Sequence, residues 1–266
     1  MSQKEEIHLK TKRQFLQLNT MEKYYSPSAE DSPASPAEGI AIVTGASGNL
    51  GQAVVKKFID EGFYVIGTVI PDDPIRVDFP EDKFEKVIVD LMSEDDSQKF
   101  VDKTLANHKH IDVAVLTVGG FAMANIAGTK TSDIAKQYKL NFETAYNVAR
   151  PVFLQMLKQN SGRIFIIGSK PGLDTRNGKG MVAYTLAKSL IFRLAELMND
   201  EAKGKNVVTC VVVPSTIDTP QNRKAMPGAN FDNWVKAEAI ADVIYYNCTT
   251  SASVLRETVL KVYNNA

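Results

Sequence analysis

One stretch narrows what this chain can fold into more than any other: Ile40–Gly51, IAIVTGASGNLG. The apolar, mostly β-branched run from Ile40 to Val43 reads as a buried strand. Gly45, Gly48 and Gly51 follow in a GxxGxxG spacing. From Asn49 a helical repeat begins, with Leu50, Val54, Val55, Phe58 and Ile59 on one face. Strand, glycine turn and helix start in that order make a cradle for phosphate. A backbone without Cβ atoms can approach a pyrophosphate, and the free N–H groups and dipole of the first helical turn favour its charge. The stretch predicts a dinucleotide-binding βαβ opening.

The same alternation continues downstream. Strands are predicted at Phe63–Ile70, Glu85–Val89, Ile111–Val118, Arg163–Gly168, Val207–Val213 and Glu257–Val262. Helices are predicted after Ser93, which can cap with Asp96 three residues on, and from Ser132 or Asp133 to about Gln159, with Pro151 as a kink or turn start. Two more are predicted at Val182–Lys203 and Trp234–Asn247. Strands that are continuous apolar runs, alternating with helices, predict an α/β fold: a Rossmann-type, doubly wound, parallel seven-stranded sheet in a single domain over 39–266. At 266 residues and 44% hydrophobic, the chain can bury one such core. Right-handed crossovers bring the C-terminal ends of the strands to one edge. Segments 44–51, 69–73, 90–91, 117–121, 168–173 and 213–220 are therefore where ligand groups should gather.

Residues 1–38 read differently. A weakly helical segment is followed by a Ser-, Pro- and Ala-rich one, which predicts a disordered N-terminal extension. Lysine plus arginine equals aspartate plus glutamate at 31 each, so no charge excess points to nucleic acid or an anionic membrane. No apolar run approaches the roughly 18 residues of a membrane span. Acidic Glu5 and Glu6 and the lack of an apolar leader predict a cytoplasmic protein. Cys210 and Cys248 stand in unlike contexts and indicate neither a disulfide framework nor a metal site.

Three further features carry chemistry. Tyr184 and Lys188 are four apart on a predicted helix and share a face. A nearby ammonium favours tyrosinate, so Lys188 is expected to lower the Tyr184 pKa, and the phenol can exchange a proton with a carbonyl or alcohol oxygen. Ser169 ends the fifth strand, where its hydroxyl can bond a substrate oxygen as charge develops. Asn141 lies inside a helical pattern, a poor place for asparagine, and is expected to bind water or a backbone carbonyl beside Lys188.

Together TGASGNLG (44–51), Asp90-Leu91, Leu140-Asn141, IIGS (166–169), YTLAK (184–188) and VVPSTIDT (212–219) resemble the short-chain dehydrogenase/reductase family over about residues 39–266. The resemblance implies an NAD- or NADP-dependent oxidoreductase moving a hydride between nicotinamide and a carbonyl, alcohol or quinonoid small-molecule substrate. It assigns Asn141, Ser169, Tyr184 and Lys188 to a catalytic tetrad: Tyr184 as acid/base, Ser169 positioning the substrate oxygen, Lys188 holding ribose, and Asn141 supporting a proton-relay water. It implies cofactor contacts from Gly45, Ser47, Gly48, Asn49, Leu50, Gly51, Val69, Asp90, Leu91, Gly119, Gly120, Tyr184, Lys188, Pro214, Ile217 and Thr219. Segments 118–121, 168–188 and 214–234 resemble a dihydropteridine reductase-like branch, although Ser169 and Asn141 depart from that branch. Gln221–Asp232 reads as a lid, and Ser169, Phe121, Arg223, Met226 and Trp234 are the expected substrate contacts, with a cationic and apolar lining. The family also pairs the helices from 141 and 182 in homodimers or homotetramers. A pterin reductase and a non-catalytic NAD(P)-binding regulator stay open as readings.

The glycine spacing departs from the commoner TGxxxGxG, so Asn49 replaces a glycine. Val69 stands where an NAD-preferring member carries an acid. Asp72 and Asp73 follow three and four residues later, a long reach to the ribose, and Arg76 is the nearest cation for a 2′-phosphate. NAD and NADP are not separated at this level.

Overall fold

The computed structural model describes residues 39–75 and 77–265. The extension predicted over 1–38, and Arg76, lie outside the described residues.

Seven strands form one parallel sheet: β1 (Ile40–Thr44), β2 (Tyr64–Val69), β3 (Phe84–Ile88), β4 (Val113–Leu116), β5 (Ser161–Ile167), β6 (Asn206–Pro214) and β7 (Val259–Val262). Their spatial order is β3-β2-β1-β4-β5-β6-β7. The strand order reverses between β1 and β4, the switch point where a crevice opens at the carboxyl ends of such a sheet.

Period-two alternation distributes each strand between two cores. Ile40 and Ile42 face one layer, and Ala41 and Val43 the other; Ile164 and Ile166 oppose Phe165 and Ile167 in the same way. On one side lie α2 (Glu94–His108), α4 (Thr144–Gln159) and α6 (Val182–Glu201), through Phe100, Val148, Met156, Ile191 and Phe192. On the other lie α1 (Asn49–Asp60) and α8 (Ala237–Tyr246), through Val54, Phe58, Ile240 and Ile244. With both faces covered, alternation of polarity vanishes in the central strands, which read as nearly unbroken apolar runs, whereas edge strand β3 carries Glu85 and Lys86.

Most predicted elements are present. The Ser93 hydroxyl accepts from the Asp96 backbone N–H and caps α2 as expected. The pattern predicted as one helix from 132 to 159 divides into α3 (Thr131–Tyr138), a π-helical turn over Lys139–Glu143, and α4. Pro151 does not end α4; it forfeits one i→i−4 bond and the helix continues. The helix predicted from Trp234 starts at Ala237, after a 3₁₀ turn at Phe231–Asn233. Short helices α5 (Lys170–Leu173) and α7 (Pro220–Ala225) follow β5 and β6. No described helix is long and apolar enough to cross a membrane.

Candidate active site

A cleft of about 370 Å³ opens at the carboxyl edge of the sheet over the β1/β4 switch point. Gly45, Ser47, Gly48, Asn49, Leu50, Val69, Asp90, Leu91, Gly119, Ile217 and Thr219, all predicted cofactor contacts, line it. Thr68, Ile70, Asp73, Met92, Thr117, Val118, Leu140 and Thr144 line it too. Of these, Leu140 carries part of the resemblance and Asp73 is a candidate for the ribose at long reach; the others have no individual sequence signal, although several lie in the windows after strand ends.

The glycine turn has the form a pyrophosphate needs. Gly45 has φ +65°, which glycine adopts at no steric cost. Gly48 caps α1 without a side-chain hydrogen bond, and no acidic residue occupies the first turn. The first N–H groups of a twelve-residue helix are thus left to an anion. Gly51 does not line the cleft. A Cβ there would lie 2.1 Å from the Gly45 carbonyl oxygen, so its glycine lets helix and turn pack. Gly120 and Pro214 also lie off the cleft lining, Gly120 bound to Asn141 and Pro214 buried at the end of β6. The cradle fits a dinucleotide.

Ser169, Tyr184 and Lys188 do not line the cleft itself; they lie beyond Gly119, which the Lys188 ammonium approaches. Ser169 follows β5 and is buried; its Oγ accepts from the Gly172 N–H at 3.1 Å, capping α5, and hydrogen-bonds the Tyr184 phenol. Tyr184 and Lys188 lie one turn apart on α6. The Lys188 Nζ donates to the Ile167 carbonyl at 2.7 Å, and burial pulls its pKa down to about 8. Burial pushes the Tyr184 phenol up, opposed in part by the Ser169 hydrogen bond. The expected lowering of Tyr184 by Lys188 is therefore reversed: desolvation of the phenolate dominates and holds the phenol neutral.

Asn141 sits in the π turn and is 1% exposed. Its Nδ2 donates to the Gly120 carbonyl and to Gln137 Oε1, both at 2.9 Å, and its Oδ1 accepts from the Gly120 N–H at 3.1 Å. The expected backbone partner is thus Gly120. Next to it, a Cβ on Gly119 would lie 2.7 Å from Asn141 Oδ1 and 3.1 Å from Lys188 Nζ, which explains why glycine follows β4. Widened π turns recur at functional sites because they re-aim side chains.

The predicted substrate contacts separate. The Phe121 ring meets Tyr184 edge-on at 5.2 Å and is exposed at the mouth. Met226 is exposed after α7. Arg223 is committed elsewhere: Nε and Nη2 bond the Asp218 carboxylate at 2.5 and 2.7 Å, and the guanidinium lies 4.8 Å over Phe231. This pairing neutralises Arg223, one of the two cations, with Lys224, expected to line the lid. Trp234 is buried, its ring tilted at 55° against Phe231 with centroids 4.8 Å apart, and its carbonyl accepts from Asn264. Among the described residues no cluster of His, Cys, Asp or Glu could hold a metal.

A family profile described as short chain dehydrogenase matches residues 39–230. Acetoacetyl-CoA reductase of Acinetobacter is 27% identical over 188 residues, 68% of this chain and 75% of that protein. Dihydropteridine reductase of Dictyostelium discoideum is 25% identical over 218 residues, 80% of this chain and 88% of that protein. The ligand-free aldohexose dehydrogenase structure of Thermoplasma acidophilum superposes with a TM-score of 0.71 at 22% identity, over 85% of this chain and 92% of that one.

Proposed function

The chain belongs to the short chain dehydrogenase family of oxidoreductases, whose members use NAD or NADP, and we propose on that premise that it reduces a carbonyl or quinonoid small molecule with Tyr184 as the acid. The observation that carries the reading is the Ser169 hydroxyl bonded to the Tyr184 phenol, with buried Lys188 one turn further on. Bound reduced nicotinamide supplies the hydride. Ser169 bonds the substrate oxygen and orients it toward the phenol. Tyr184, kept neutral by burial, donates its proton to that oxygen. The Lys188 ammonium then offsets the negative charge left on the phenol. Asn141 acts as a positioning residue, bracing the Gly119–Gly120 loop against Lys188.

The same reading includes a homodimer or homotetramer built on α4 and α6 in the cytoplasm. The assembly is supported by exposed Leu154 on α4 and Leu186, Leu190 and Leu197 on α6, and by the Tyr138–Phe142–Tyr146 ring stack that runs from α3 through the π turn into α4. A second substrate reading, a quinonoid dihydropterin, is favoured by the likeness to the Dictyostelium dihydropteridine reductase.

The test is nucleotide oxidation against a panel of ketones and quinonoid dihydropterin, by wild type and Tyr184→Phe. Turnover in the variant is expected to fall at least ~100-fold while nucleotide affinity holds. Unchanged turnover refutes the acid role. Tight nucleotide binding with no oxidation of any substrate favours a regulator instead.

A further inference from the structure

We propose that Asp73, folded back onto the glycine turn, receives the adenosine ribose hydroxyls and makes this cleft select NAD over NADP. The inference rests on the dinucleotide reading of the site and concerns which of the two nucleotides it takes.

Val69, the last residue of β2, is apolar and buried and offers the ribose no acceptor. The chain then passes through Pro71-Asp72-Asp73-Pro74. Asp72 adopts a left-handed φ of +54°, a conformation aspartate tolerates in turns. Asp73 comes back into the cleft that Val69, Ile70 and Ser47 line. Its Oδ2 accepts the Ser47 hydroxyl, and its Oδ1 accepts the Ile75 N–H at 2.9 Å. Ser47 belongs to the glycine turn, so the carboxylate is moored to the phosphate cradle itself.

A carboxylate has about four acceptor positions. One is used on each oxygen, which leaves a pair for two neighbouring hydroxyl donors. A ribose 2′,3′-diol supplies such a pair. A 2′-phosphate supplies no hydroxyl donor when ionised and brings up to two negative charges against the carboxylate. The charged residues among the described lining are Asp73 and Asp90, with no lysine or arginine to compensate. Acceptors without cations select the diol over the phosphate.

Calorimetric titration of the unliganded full chain with NAD and with NADP tests this without turnover. NAD is expected to bind at least ~30-fold more tightly at low salt, and the ratio should narrow as salt screens the 2′-phosphate repulsion. Asp73→Asn keeps an acceptor oxygen and removes the charge. It should bring the two affinities to within about threefold, chiefly by strengthening NADP. Equal or tighter binding of NADP by wild type overturns the selectivity and leaves the dinucleotide site standing. A folded Asp73→Asn protein with an unchanged ratio overturns the assignment to Asp73. Binding of neither nucleotide overturns both the selectivity and the site.

Discussion

Replacing Lys188 with methionine separates the cost of burying a charge from the use made of it. Lys188 is 4% exposed, and burial brings its pKa from 10.5 to about 8. That depression corresponds to about 3 kcal/mol against the charged form in the folded protein. Below pH 8 the ammonium is charged in both folded and unfolded chains, so the whole penalty weighs on the folded state. Between pH 8 and 10.5 the unfolded chain binds the extra proton, and stability rises with pH until the penalty is gone. Lys188→Met keeps the length of the side chain and removes the charge. It also leaves the Ile167 carbonyl without this donor, a loss of about 1 to 2 kcal/mol. The variant is therefore expected to be about 1 to 2 kcal/mol more stable than wild type near pH 6.5 and up to about 1 kcal/mol less stable near pH 10, where a small part of the penalty remains.

Urea unfolding followed by fluorescence of Trp234, the single tryptophan and a buried one, measures both proteins across that range. Taking the difference cancels groups common to both. Cys210 is one: its thiol is pushed up to about 12 by burial, so it loses stability as pH rises above its ordinary value of 9. A difference that does not change between pH 6.5 and 10 would refute the claim that Lys188 is a costly buried charge. Turnover should be lost in the variant at every pH, which dissociates stability from activity at one position.

Three further outcomes follow from named contacts. Wild-type kcat/KM should fall as pH rises through about 8, because Lys188 then loses the charge that offsets the phenolate; a profile flat to pH 9.5 contradicts this. Gly51→Ala places a Cβ 2.1 Å from the Gly45 carbonyl oxygen, where only backbone can give way. It should cost about 2 kcal/mol or more in urea unfolding and weaken nucleotide binding, and an unaltered midpoint rules out the packing described. Asn49 Nδ2 donates to Gln221 Oε1 at 2.9 Å, tying the glycine turn to α7. Asn49→Gly should raise the nucleotide dissociation rate by about two- to fivefold in stopped-flow displacement, and Gln221→Ala should match it, since a single exposed neutral hydrogen bond contributes about 0.5–1 kcal/mol.

What the sequence determined alone was set by local periodicity. Continuous apolar runs between amphipathic repeats specify a parallel sheet covered on both faces, because no other arrangement buries them. Glycines between β1 and α1 specify close backbone approach. Tyr184 and Lys188, four residues apart on α6, share a face through helical geometry alone. Ser169 was placed by ending β5, since every strand ends at the same edge.

The tertiary structure decided whatever depends on groups distant in the chain or on a single backbone angle. The φ of Asp72 brings Asp73 to Ser47, 26 residues away, a contact that counting along the chain does not show. The π turn that aims Asn141 at Gly120 looks like ordinary helix in sequence, because it has the same residue preferences. Arg223 reads as a free cation until Asp218 is seen to hold it. The shift of Tyr184 changed sign for the same reason: spacing places a lysine nearby, but only packing determines how much water the phenol loses, and that loss is the larger effect. The opening stretch Ile40–Gly51 thus determined that an anion could be cradled. Which residues meet it, and with what charge, was decided by the folds of chain brought over it.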